Sequence, residues 1–162
     1  MRIIAPTAEN MVEAAALVRA GGIVAYPTEA VYGLAVDPFS VTALEKLFAV
    51  KGRAETNPVL LIVSNIDQVI QVVSTISDDA RTYADRFLPG PLGMLFPKSD
   101  RIPAALCAGG PKVCVRIPAH ETARALCAAV GHAITSTSAN KSGKPPATSP
   151  HEIDLSDVAL CI

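Results

Sequence analysis

Five short apolar runs, at residues 23–26, 59–63, 92–96, 112–117 and 133–137, alternate along the chain with segments patterned as helices. This alternation is the strongest constraint on the fold, because interleaved strands and helices bury their apolar sides by packing helices on a shared sheet. The helical segments carry their own start and stop signals. Thr7 can cap a first helix whose stripe is Met11, Ala15 and Val18 with Leu17 beside it, and Gly21-Gly22 ends it. Ser40 can cap a second, with Val41, Leu44, Leu47 and Phe48 on one face. A third helical region is expected between residues 67 and 87, and a fourth at 121–130. Ser149-Pro150-His151-Glu152 has capping-box spacing with proline at the first helical position. In the run 112–117, Val113, Val115 and Ile117 alternate with Lys112, Cys114 and Arg116, the pattern of a strand with one buried side.

The chain has 162 residues, 50% of them hydrophobic, and no repeat or linker divides it. The expectation is one α/β domain over residues 1–162 with a twisted mixed sheet flanked by helices. Aromatics are 4% and Trp is absent, so Ala, Val, Leu and Ile must do most of the packing. The net charge of -1 gives no overall pull toward nucleic acid, so any anion site must be local. No apolar run reaches the roughly 18 residues that a membrane span needs, and the N-terminus does not read as a signal peptide, which points to a cytoplasmic protein. Cys107, Cys114, Cys127 and Cys161 show no zinc spacing and read as small buried hydrophobes. His120, His132 and His151 are scattered, so no metal held by side chains is expected.

Three polar clusters follow apolar elements, where open α/β sheets commonly bind ligands. The first is Tyr26-Pro27-Thr28-Glu29-Ala30-Val31-Tyr32-Gly33. It reads either as a strand-to-helix loop capped by Thr28 or as a loop whose Thr28, Glu29 and Tyr32 bind a polar substrate. The second is Lys51-Gly52-Arg53-Ala54-Glu55-Thr56-Asn57-Pro58. On extended backbone Lys51 and Arg53 would point the same way about 6–7 Å apart, a spacing suited to neighbouring phosphates; the other reading is a helix C-terminus with basic residues on its dipole. The third is Ser136-Thr137-Ser138-Ala139-Asn140-Lys141-Ser142-Gly143, either a polar loop or small residues that let backbone N–H groups approach an anion. It is not a P-loop. Arg116, on the polar side of its strand, needs a carboxylate partner, either the protein's own or a substrate's.

These segments, with Pro89-Gly90-Pro91 and Val115-Arg116-Ile117-Pro118, fall in the order of the YrdC-type (TsaC) threonylcarbamoyl-AMP synthases, and the chain resembles a short, single-domain bacterial member. The resemblance implies a sheet around a basic concave cavity in which L-threonine and bicarbonate form a carbamate. The carbamate attacks the α-phosphate of ATP and expels pyrophosphate, a nucleotidyltransferase reaction that feeds tRNA threonylcarbamoyladenosine formation by downstream tRNA-modification proteins. It implies that Lys51 and Arg53 act in catalysis, and that Lys51, Arg53, Asn57, Ser138 and Asn140 bind ATP. Thr28, Tyr32, Arg116 and Ser136 would bind threonine, and Mg²⁺ would arrive with ATP. Two other readings stand beside it: a module binding double-stranded RNA or tRNA without chemistry, and a carbamoyl-adenylate domain of the hydrogenase-maturation kind.

The sequence departs from the family pattern at Ala30, where a second Thr is common, at Ala54, where Pro is frequent, and at Gly93, where Thr is usual. Relatives are also expected to continue beyond a point equivalent to Ile162, with hydroxyl residues and a late Arg that reach the nucleotide.

Overall fold

A computed structural model describes residues 1–52 and 57–162. The strands are β1 (Arg2–Ile3), β2 (Ile23–Tyr26), β3 (Gly33–Ala35), β4 (Leu60–Ile62), β5 (Met94–Pro97), β6 (Lys112–Arg116), β7 (Ile134–Ser138) and β8 (Val158–Cys161). The α-helices are α1 (Ala8–Arg19), α2 (Val41–Lys51), α3 (Ile66–Ile70), α4 (Asp78–Phe87) and α5 (Glu121–Val130). Two short 3₁₀ turns, Ala104–Cys107 and Pro150–Glu152, complete the described elements.

The strands form one mixed sheet in the order β1-β8-β2-β3-β7-β4-β6-β5. β8 lies parallel to both β1 and β2, and β4 parallel to β6; the other neighbours are antiparallel. Helices cover the sheet on both faces. On one face Ala25, Leu34, Leu61, Val113 and Val115 pack with Leu44, Leu47 and Phe48 of α2. On the other, Val24, Tyr26, Ala35, Ile62 and Ile134 pack with Met11, Ala15 and Val18 of α1 and Leu126 and Val130 of α5.

The caps act as their residue types require. Thr7 Oγ1 accepts from Asn10 N–H at 3.3 Å and Ser40 Oγ from Ala43 N–H at 3.2 Å, each satisfying one orphan donor of a first turn. Glu152 Oε2 reaches back to Ser149 N–H at 3.3 Å and Thr148 N–H at 2.7 Å, but the turn it closes is a 3₁₀ turn, not a longer helix.

Four expectations need correction. The helical region between residues 67 and 87 is two helices, capped by Asn65 and Ser77. Between them, Val72 and Val73 N–H still donate to Val69 C=O of α3, but Ser74 N–H donates to Pro97 C=O at the end of β5 and Val72 C=O accepts from Ser99 N–H just beyond it. Val41 is 53% exposed because the first turn of α2 turns its buried side through Ala43 and Leu44. The loop after β2 leads to β3, a strand, and not to a helix. Cys107, Cys127 and Cys161 are buried, but Cys114 is only half-buried, on the side of β6 that also carries Arg116.

Candidate functional site

Register places the polar residues on one face. Side chains of directly paired residues point the same way. Tyr26 pairs with Gly33, Gly33 with Ser138, Leu60 with Ser136, and Ile62 with both Ile134 and Arg116. Tyr26, Ile62 and Ile134 lie under α1 and α5. Ser136, Ser138, Cys114 and Arg116 therefore share that face and are half-buried. The candidate site is the part of this face that carries hydroxyls and a guanidinium in place of aliphatic side chains.

Gly33 fixes the floor. A Cβ at that position would lie 2.9 Å from Tyr26 Cζ and 3.1 Å from its hydroxyl oxygen, so the Tyr26 ring lies directly over the glycine. The ring is fully buried and its O–H donates to Thr135 C=O at 3.2 Å. Burial pushes the hydroxyl far above its ordinary range, while Ser136, Arg116 and Glu29 are close enough to act on it electrostatically. Tyr26 thus joins the core under α1 to the polar half of the face.

The loop over residues 27–32 holds its own shape. Thr28 O–H donates to Val31 C=O at 2.6 Å, so Thr28 closes the turn, as one of its two readings required, although between strands. Tyr32 is half-buried; its N–H donates to Ala147 C=O and its C=O accepts from Ala139 N–H, both at 2.8 Å, tying the first motif to the third. Glu29 reaches to the end of β6. Its Oε1 accepts from Arg116 Nη2 at 2.5 Å and from Ala119 N–H at 2.8 Å. Arg116 Nε donates to Gly90 C=O at 2.8 Å, and Gly90 N–H to Ile117 C=O at 2.9 Å. Partial burial alone would raise the Glu29 pKa, but N–H donors including Ala119 and the Arg116 charge outweigh it and hold the carboxyl below its ordinary value. Of the two partners open to Arg116, the protein supplies its own carboxylate.

Lys51 is 3% exposed at the C-terminus of α2. Its ammonium donates to Ser138 C=O and, at 2.9 Å, to Asn140 C=O; its own C=O accepts from Ser142 N–H at 2.7 Å. Lys51, Ser138 and Asn140 are therefore brought together, with the lysine as the tie that shapes the third motif. Asn140 Nδ2 donates to Lys141 C=O at 3.0 Å and Lys144 C=O at 2.6 Å, while its Oδ1 is buried without a partner among the described residues. Beside it lies a cavity of about 270 Å³ whose charged lining, among the described residues, is Lys141 and Lys144 against Glu152 and Asp154. Asn57 is exposed. Arg53 lies outside the described residues. Among the described residues no three or more His, Cys, Asp and Glu converge on a metal position, and no helix is long and apolar enough to cross a membrane.

The structure also accounts for the glycine at 93: a Cβ there would stand 3.1 Å from Cys114 Sγ, so the cysteine takes the room a side chain would need. Sequence reasoning offered Glu29 as a ligand for a polar substrate and missed its pairing with Arg116. The signal available was Arg116 itself, a charge on a half-buried strand that required a nearby carboxylate.

A mixed sheet with one polar half-face, bridged by the loop after β2, defines an α/β fold with a candidate ligand site. Residues 16–159 match the family model Sua5_yciO_yrdC, described as telomere recombination, and the chain belongs to that family. It is 39% identical over 140 residues to a threonylcarbamoyl-AMP synthase of Pyrococcus abyssi, an alignment covering 86% of this chain and 41% of that protein. The enzyme of the same name from Thiobacillus denitrificans is 43% identical over 132 residues, covering 82% of this chain and 70% of that protein. Among solved structures, P. abyssi Sua5 complexed with L-threonine superposes with a TM-score of 0.92 at 34% identity, over 100% of this chain and 50% of that one. Escherichia coli YciO superposes with a TM-score of 0.86 at 22% identity over 99% of this chain and 82% of that one, a likeness of fold alone. The chain thus spans about half the length of the threonine-bound structure, and the mixed α/β fold expected from the sequence is the fold found.

Proposed function

We propose that this chain makes threonylcarbamoyl-AMP: the amine of L-threonine and bicarbonate give a carbamate and water, the carbamate oxygen attacks the α-phosphate of ATP, and pyrophosphate leaves. The observation that carries the reading is the sheet face on which Ser136, Ser138 and Arg116 stand half-buried beside the loop of Thr28 and Tyr32. The family and the relatives named threonylcarbamoyl-AMP synthase supply the chemistry. The reaction asks the protein to align reactants and neutralise charge. In this reading Arg116, Thr28, Tyr32 and Ser136 hold threonine in a basic concavity. Lys51, Arg53, Asn57, Ser138 and Asn140 surround ATP, whose Mg²⁺ is held by phosphate oxygens and water. Lys51 contributes charge and also fixes the loop that carries Ser138 and Asn140. The enzyme is then a cytoplasmic nucleotidyltransferase that hands its product to tRNA-modification proteins, with tRNA or double-stranded RNA as a further ligand.

The test is pyrophosphate release from ATP and bicarbonate by the purified chain, with and without L-threonine. Threonine-dependent release is the expected result, and Arg53→Ala should reduce it at least tenfold, the loss of about 1.4 kcal/mol of transition-state stabilisation. Release that ignores threonine would overturn the reading.

A further inference from the structure

We infer that Glu29 is a positioning residue that fixes which edge of the Arg116 guanidinium faces the amino-acid carboxylate. The inference rests on the proposal that Arg116 receives that carboxylate. A guanidinium offers five N–H groups in a rigid fork, so its value to a carboxylate depends on orientation as well as charge. Both contacts of Arg116 among the described residues use the Nε–Nη2 edge: Nε to Gly90 C=O at 2.8 Å and Nη2 to Glu29 Oε1 at 2.5 Å. The Nη1–Nη2 end is the edge left for a ligand to grip with two parallel bonds.

The two acceptors are themselves held. Gly90 N–H bonds Ile117 C=O, and the same Glu29 oxygen takes Ala119 N–H. The guanidinium is thus held along that one edge by two acceptors that are themselves anchored to Ile117 and Ala119, close after it in sequence. Glu29 comes from a loop whose turn Thr28 closes independently, so the loop delivers a carboxylate and not a mobile tip. The pair keeps 21% and 32% of its side-chain surface, and ion pairs this exposed add little stability. The geometry therefore serves orientation more than folding.

The experiment is calorimetric titration of L-threonine into the wild-type chain, Glu29→Gln, Glu29→Ala, Arg116→Lys, Arg116→Ala and the Glu29→Ala/Arg116→Lys double variant, with melting temperatures as a check on folding. Glu29→Ala is expected to raise Kd about tenfold, equivalent to ~1.4 kcal/mol, and Glu29→Gln, which keeps an acceptor for Ala119, about threefold. In the Arg116→Lys background, where no fork remains to be oriented, Glu29→Ala should change Kd by less than about twofold. A purely structural role would weaken binding equally in both backgrounds, and that result overturns the inference. If the Arg116 variants weaken binding and the Glu29 variants do not, the inference also fails while the role of Arg116 stands. If Arg116→Ala binds threonine like wild type, the underlying reading fails. Should Glu29→Ala not fold, Glu29→Gln carries the test in both backgrounds.

Discussion

Replacing Gly33 by alanine isolates one contact beneath the site. The added Cβ would meet three atoms of the Tyr26 ring at 2.9, 3.1 and 3.2 Å, and ordinary carbon contacts lie near 3.5–4.0 Å. Gly33 is extended in β3 between Tyr26 and Ser138, so alanine is acceptable to the backbone, and the nearest conflict is with Tyr26. The ring has little room to retreat: it is fully buried, packed in the layer under α1, and held by its O–H to Thr135. Overpacking of this kind costs about 1–3 kcal/mol, and loss of the hydroxyl bond adds ~1 kcal/mol. We expect a total of about 2–4 kcal/mol, a fall of roughly 4–16 °C in Tm at 2–4 °C per kcal/mol. Urea and thermal unfolding of Gly33→Ala, Tyr26→Leu and the double variant measure it. In the Tyr26→Leu background the alanine should cost less than half as much, because the ring it strikes is gone. An equal cost in both backgrounds, or a Gly33→Ala chain within about 0.5 kcal/mol of wild type, would refute the reasoning.

Two further predictions follow from charges. Lys51→Met keeps the buried stem and removes the ammonium that bonds Ser138 and Asn140, so it should cost about 2–3 kcal/mol as well as nucleotide use; a melting curve equal to wild type would show that the lysine does not hold the 138–142 loop. Because the Glu29 pKa is lowered in the fold, its stabilisation is present above the ordinary Glu range and lost as pH falls through the folded value. The wild-type advantage over Glu29→Gln in urea unfolding should therefore hold at neutrality and shrink as pH falls below the ordinary Glu range; for such a partly exposed pair it is no more than about 0.5–1 kcal/mol at neutrality.

The elements that sequence reading found are those whose local signals agree. α1 begins where Thr7 accepts from Asn10, α5 spans the residues expected, and β2 matches its apolar run. The misses are elements that only tertiary pairing creates. β3 has three residues and opens with the glycine that admits the Tyr26 ring, so it carries no strand pattern of its own. β8 is a four-residue strand whose position between β1 and β2 is set by long-range pairing. The division of α3 from α4 depends on β5 capturing Val72 and Ser74, a contact across more than 20 residues. For the site, residue type was legible and partner was not: the need of Arg116 for a carboxylate could be read from one strand, but that Glu29 meets it depends on a contact between elements almost 90 residues apart in the chain.

β3 is also what makes the site. Had the chain passed from Tyr26 directly into a helix, the loop over residues 27–32 would lead away from the sheet. Because β3 returns antiparallel beside β2, with Gly33 opposite Tyr26, the loop is closed at both ends on the same face. The partner strand β7 then presents Ser138 beside Gly33 and Ser136 two residues further in. Tyr32 locks the loop to the segments at Ala139 and Ala147, and Lys51 locks the first of these from α2. Glu29 closes the circuit at Arg116, on the far side of β4. Three motifs widely spaced in the sequence are therefore one hydrogen-bonded unit, and a substitution in any of them should shift the geometry of the other two. The sharpest sign would be coupling between Lys51→Met and Glu29→Gln in threonine affinity, although no direct contact joins the two side chains among the described residues.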